Sequence, residues 1–262
     1  MLIWEVCKYM DIKTCFLFRQ VNRPARWIMS TYAPYHEVAT HGLESLRAML
    51  RTGLARYFTM TRLYRALCTE KCEVCDLRFG GFVFLLTATR CCFACLCTAP
   101  ELRVMLLKDA KDHTRLGGVI HRRMAVLRCI QGSYGLRGSE VGRVQVVSAG
   151  ALLNLAELDV EGRTRVENHR PRLLFRFAAS TTLPLLDPMA VQGVVQHGLR
   201  CEGCRVSNQY PRRSSSNFYI DDRYVPLRPV YSRADYMAHF DTCTAARRLW
   251  RDITTGNNAP GD

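Results

Sequence analysis

Three Cys-x-x-Cys pairs constrain this chain more than any other feature. Two stand close together, Cys72-Glu-Val-Cys75 and Cys92-Phe-Ala-Cys95, with 16 residues between them. The third, Cys201-Glu-Gly-Cys204, is answered after a gap of 34 residues by His239-x-x-x-Cys243. Cysteines three positions apart can turn both thiolates to one side of a tight turn, and four such ligands close a tetrahedral zinc shell. Random placement of the chain's 13 cysteines would yield about 0.6 such pairs. The spacing therefore nominates Cys72, Cys75, Cys92 and Cys95 as one structural zinc site, and Cys201, Cys204, His239 and Cys243 as a second. The alternative for each set is a group of ordinary buried thiols. Cys68, Cys91 and Cys97 flank the first set, and any of them could replace one of its four ligands.

The remaining composition narrows the setting. With 48% hydrophobic and 23% charged residues the chain has the make-up of a globular protein with a real core. Its longest apolar stretch, near Gly80–Thr87, is far too short to span a bilayer. The opening residues lack a basic segment and carry Glu5, so no signal peptide is expected. An odd number of cysteines without secretion fits reduced or metal-bound thiols in cytosol or nucleus. The net charge of +14 comes mostly from arginine, because only positions 8, 13, 71, 108 and 111 are lysine. Such a charge attracts nucleic acid or acidic partners, but the arginines run from Arg19 to Arg251 without a block of five, as on a solvated basic surface.

Hydrophobic periodicity predicts a helical first part. Leu2, Ile3, Val6 and Met10 repeat at helical spacing up to Asp11. A second helix is expected from about Lys13 to Ser30, bent or divided at Pro24, with Pro34 as a stop. Val38, Leu43, Leu46, Met49 and Leu50 form another stripe, Gly53 marks a break, and a short helix carries Leu54, Phe58, Leu63 and Leu67. From Cys68 the pattern changes. The aromatic, β-branched run after Gly80-Gly81 predicts a strand between the first two cysteine pairs. Arg143–Val147 and Leu173–Ala178 also read as strands, and Ala151–Val166 fits either state. Pro211–Asn217 reads as a loop, Arg233–Trp250 as one helix with His239 and Cys243 on a shared face, and Thr254–Asp262 as a fraying tail. The expected class is α+β.

Val6-Cys-Lys-Tyr-Met10-Asp11 and the following helix ending in Val21-Asn22-Arg23 resemble an F-box. Beyond it, Arg90-Cys-Cys-Phe-x-Cys95, Gly198-x-x-Cys201-x-Gly203-Cys204, His239-Phe-x-x-Cys243 and Leu249-Trp250 resemble a family of filamentous-fungal F-box proteins. The resemblance covers most of the chain. It implies an F-box over residues 1–34, a helical linker over 35–67, a cysteine-rich α+β region over 68–250 and a flexible tail over 251–262. F-box motifs open with Leu-Pro before an acid, whereas this chain starts at Met1-Leu2-Ile3, so the resemblance implies an F-box truncated at its start.

By this resemblance the chain is a non-catalytic substrate-receptor subunit of an SCF-type cullin-RING ubiquitin ligase. Val6, Met10, Leu17, Val21 and Trp27 would contact a Skp-type adaptor, and the region from Cys68 would hold an unidentified protein target. Packing of the same five residues on the 35–67 helices is the competing account. A zinc-dependent nucleic-acid-binding protein is the alternative from a different class. Catalysis finds little support, because His36, His41, His113, His121, His169 and His197 lack a catalytic context and no phosphate-binding glycine loop is present.

Overall fold

The computed structural model describes residues 2–135, 138–155, 157–169, 172–187, 194–207 and 229–255. Both the Pro211–Asn217 loop and residues 256–262 of the tail lie outside them. The described chain is α+β, with helices and small antiparallel sheets.

Six short helices build the first part: α1 (Leu2–Tyr9), α2 (Ile12–Phe18), α3 (Arg23–Thr31), α4 (Ala33–His41), α5 (Leu43–Thr52) and α6 (Met60–Cys68). Side-chain caps set the starts of α2, α3 and α6. The carboxylate of Asp11 accepts the Thr14 N–H at 2.8 Å, and the Asn22 side chain accepts the Ala25 N–H at 2.8 Å. The expected helix from Lys13 to Ser30 is thus two helices, and Pro24 stands in the first turn of α3. Pro34, expected as a stop, likewise stands in the first turn of α4. Both prolines follow one rule: the first-turn N–H groups have no intrahelical partner, so proline loses nothing there. Gly53 ends α5 in the left-handed region at φ 83°, which glycine adopts without a Cβ clash.

The second part interleaves short strands and helices. Strand β1 (Phe82–Phe84) pairs with β2 (Thr89–Cys91) as a hairpin, and β8 (Ser180–Thr182) adds to its other edge. Helix α7 (Phe93–Thr98) follows the hairpin. Next come β3 (Val104–Leu106), α8 (Leu107–Thr114), α9 (Gly117–Arg123), β4 (Leu127–Arg128), β5 (Gly132–Tyr134), β6 (Ser139–Val141) and β7 (Gln145–Ser148). Strand β7 is central in a sheet ordered β3-β7-β4, and β5 pairs with β6. The ambiguous stretch after it holds α10 (Ala149–Leu153) and α11 (Val160–Asn168). Then follow α12 (Leu173–Ala178), β9 (Leu185–Asp187), β10 (Val194–Gln196), α13 (Glu202–Val206), α14 (Arg233–Thr242) and α15 (Thr244–Thr254).

Two expectations are corrected. Leu173–Ala178 is a helix, not a strand. A short apolar run carries no decisive period, and here buried Arg176 decides the geometry by donating to the carbonyls of Leu96 (3.1 Å) and Ala99 (2.9 Å) at the end of α7. Arg233–Trp250 is two helices, because Cys243 is extended at φ −83°, ψ 101° and its sulfur accepts the Ala246 N–H at 3.4 Å, capping α15.

One continuous core joins the helical part to the cysteine-rich part. Cys7, Ile12, Met29, Val38, Met49 and Leu63 belong to the same buried cluster as Val83, Phe84, Leu96 and Leu186. A second core lies among β3, β7, α8, α9 and α11, around Met105, Ile120 and Val166. The third is small and built on Cys201, Cys204, Cys243 and Ala246. An apolar core that small is too poor in area to hold three helices together by burial alone.

Candidate metal centres

The first centre forms from a turn and a helix start brought together by the β1–β2 hairpin. Cys72 and Cys75 sit on a turn closed by Cys72 N–H donating to the Arg78 carbonyl and Asp76 N–H donating to the Cys72 carbonyl, both at 2.8 Å. The turn forces Asp76 to φ 51°, a left-handed conformation that aspartate tolerates better than most residues. Across the hairpin, Cys92 caps α7 and accepts the Cys95 N–H at 3.4 Å. The four sulfurs of Cys72, Cys75, Cys92 and Cys95 lie within 4.8 Å of one another, with Cys75 and Cys92 at 4.0 Å. A tetrahedral ion with sulfur ligands at about 2.3 Å requires edges of about 3.8 Å, so the donors already stand close to that spacing.

Glu73 fixes this turn to the rest of the fold. Its carboxylate accepts the Arg90 backbone N–H at 2.8 Å and both terminal nitrogens of Arg62 at 2.8 and 2.9 Å, while its own N–H donates to the Arg90 carbonyl at 2.9 Å. One residue inside the Cys-x-x-Cys thus ties the turn to β2 and to α6.

The second centre repeats the construction with a histidine. Cys201 caps α13 and accepts the Cys204 N–H at 3.4 Å; Cys243 caps α15. Cys204 Sγ lies 3.6 Å from Cys243 Sγ and 3.4 Å from His239 Nε2, and Cys201 Sγ lies 3.9 Å from Cys243 Sγ. His239 and Cys243 meet although they do not share one continuous helix, because the last turn of α14 still runs through the Cys243 N–H to the His239 carbonyl at 2.9 Å. The other ring nitrogen, Nδ1, is 3.3 Å from the Tyr231 hydroxyl, and the two rings stack at 4.7 Å. Such a contact fixes which nitrogen is left to face a metal. Gly203 completes the fit: a Cβ there would stand 2.3 Å from the Ala246 nitrogen.

The thiols sit unevenly. A hydrogen bond from the Cys92 thiol lowers Cys72, and the same bond raises Cys92. Burial, then the neighbouring Cys243 and Cys201, pushes Cys204 up to about 12. For Cys243 burial acts upward, but the Ala246 N–H and the adjacent thiols outweigh it and hold it down. Metal binding would release the protons that the thiols still carry.

The structure brings together all eight nominated ligands as two groups that can each hold a metal ion. Cys68, Cys91 and Cys97 fall outside both groups, and burial raises all three thiols. Glu73 and Tyr231 lie beyond the reach of the spacing argument. Glu73 carries a local signal, an acid inside the Cys-x-x-Cys, whereas Tyr231 has none, since only folding brings its ring to His239.

The five nominated adaptor contacts lie on or beside α1–α3. Val6, Leu17, Val21 and Trp27 are 60%, 53%, 69% and 57% exposed, whereas Met10 is half-buried against the core. Leu2 and Tyr9 are exposed as well. Among the described residues no helix is long and apolar enough to cross a membrane. No family model matches the chain, and neither a curated protein nor a solved structure matches it.

Proposed function

We propose that this chain is a non-catalytic target receptor of an SCF-type ubiquitin ligase, docking a Skp-type adaptor through α1–α3 and stapled by two structural zinc ions. The observation that carries the docking is the exposure of Val6, Leu17, Val21 and Trp27 beside a core that is already filled by Cys7, Ile12, Cys15 and Met29. Large apolar side chains left outside a complete core are what a partner surface covers, at about 1.5–3 kcal/mol of burial for each. One donor set of four thiols and another of three thiols with an imidazole are those of structural zinc. With all four positions protein-filled, no place remains for an activated water. The cysteine-rich part would then hold a target, and its proximity to the ubiquitin-carrying enzyme would supply the rate enhancement.

Co-purification with a recombinant Skp-type adaptor tests this. The wild-type chain should retain the adaptor, and a Val21→Asp, Trp27→Ala variant of unchanged metal content should lose it. Failure of the wild-type chain to retain any adaptor sinks the proposal.

A second reading, nucleic-acid binding, rests on α15. Arg247 and Arg251 line a shallow cleft of about 470 Å³ with Phe240 and Trp250, and Trp250 is 60% exposed. Aromatic faces flanked by arginine suit single-stranded bases. Binding of random single-stranded oligonucleotide at physiological salt, lost in Trp250→Ala, would favour that reading over the first.

A further inference from the structure

Arg51, Arg128 and Arg143 line one cleft of about 570 Å³. Arg51 belongs to the last turn of α5, Arg128 to β4, and Arg143 stands two residues before β7. The β4–β7 register sets Arg128 opposite Gln145, and Gln131 and Gln145 line the same cleft, while no carboxylate does. None of these three guanidinium groups has a hydrogen-bond or ion-pair partner among the described residues. Other arginines have partners: Arg62 pairs with Glu73, and the terminal nitrogens of Arg90, Arg103 and Arg176 donate to backbone carbonyls.

Three cations around one recess, unpaired among the described residues, repel one another in a chain already carrying +14. An anion in the recess reverses that sign. Planar guanidinium forks match the oxygens of a phosphoryl group in pairs, and the two glutamine amides can add donors. The size of the cleft is that of a small-ligand or side-chain site. A duplex needs a charged stripe along many phosphates instead.

We propose that this cleft binds phosphoryl groups. A compact polyphosphate molecule and a phosphorylated side chain offer the same chemistry, so the test separates them. The purified full chain is titrated at physiological salt with inorganic tripolyphosphate and with a degenerate peptide mixture bearing a central phosphoserine, alongside its unphosphorylated counterpart. At least one phosphate probe should bind, and the Arg128→Gln, Arg143→Gln variant should weaken it on the order of tenfold or more, since it removes two charge-assisted donors. Arg26→Gln, exposed on α3, should change nothing. Tighter binding of tripolyphosphate assigns a small molecule, and tighter binding of the phosphopeptides a phosphorylated protein. Binding of neither probe, equal binding by the double variant, or arginine-dependent binding of duplex DNA alone would each overturn the proposal.

Discussion

Cys204 Sγ and Cys243 Sγ lie 3.6 Å apart although 39 positions separate them in sequence. Cys204 lies within α13 and Cys243 caps α15, and the two helices meet where Gly203 faces Ala246. A Cβ at position 203 would stand 2.3 Å from Ala246 N and 2.4 Å from Ala246 Cα, both backbone atoms that cannot move aside alone. Gly203→Ala should therefore pry α13 from α15 and release one metal ion per chain while the first centre keeps its own. Metal content of the purified variant checks this, and an unchanged stoichiometry would show that the α13–α15 approach does not hold the second centre.

The first centre makes a distinction between neighbours. Cys92 faces the other three sulfurs and Cys91, beside it, does not. Cys92→Ser should lose one metal ion per chain and lower the thermal midpoint on the order of 10 °C, given roughly 2–4 °C per kcal/mol for a chain of this size. Cys91→Ala removes only a buried thiol and should keep full metal content. Equal metal loss in both variants would contradict the assignment.

How much of this was legible in the sequence depends on the range of the interaction. Cys-x-x-Cys turns, the interruption at Asp11 and the Gly53 break are local, and the residues announce them. The pairing of Cys201–Cys204 with His239 and Cys243 was legible because positions four apart on a helical pattern turn to one side, which the Cys243 N–H to His239 carbonyl bond preserves at the end of α14. What stayed hidden rests on contacts that leave no trace in the hydrophobic period, one distant at Arg176 and one local at Cys243. Arg176 turns Leu173–Ala178 into a helix by reaching α7, and the sulfur of Cys243 breaks a continuous helical pattern into two by capping the second half. Neither choice has a period or a local motif that could reveal it.

Arg90 is wholly buried and donates to the carbonyls of Ala66 (2.8 Å), Pro184 (2.9 Å) and Leu183 (3.4 Å). Burial lowers its guanidinium to about 10, so it stays charged at neutral pH. Gly80 makes room for it, since a Cβ there would stand 2.7 Å from Arg90 Cγ. Arg90→Met keeps most of the volume but leaves buried carbonyls unpaired, each at about 1–3 kcal/mol. The expected loss is about 3 kcal/mol, read from denaturant midpoints; an unaltered midpoint would remove Arg90 from the account of what joins α6 to β9.

His169 gives the fold a pH dependence. Burial lowers its pKa below 6.5; Asp109, at 4.0 Å, opposes the shift, while His113, Arg103 and Arg172 add to it. Well above pH 6.5 the ring is neutral in both states and contributes no slope. Below it the unfolded chain takes up the proton first, so stability falls as pH drops from 6.5 toward the folded value. His169→Gln should flatten that part of the profile. Urea midpoints followed from neutral pH down to about one unit below the ordinary histidine value that decline equally in both proteins would show that other groups carry the slope.

Native mass spectrometry of the full chain, purified under reducing and zinc-replete conditions, tests the central claim most directly. Both four-ligand centres should be filled, giving two zinc ions per chain that are lost only with unfolding of the segments they join. A chain that is folded and carries no zinc would contradict the account.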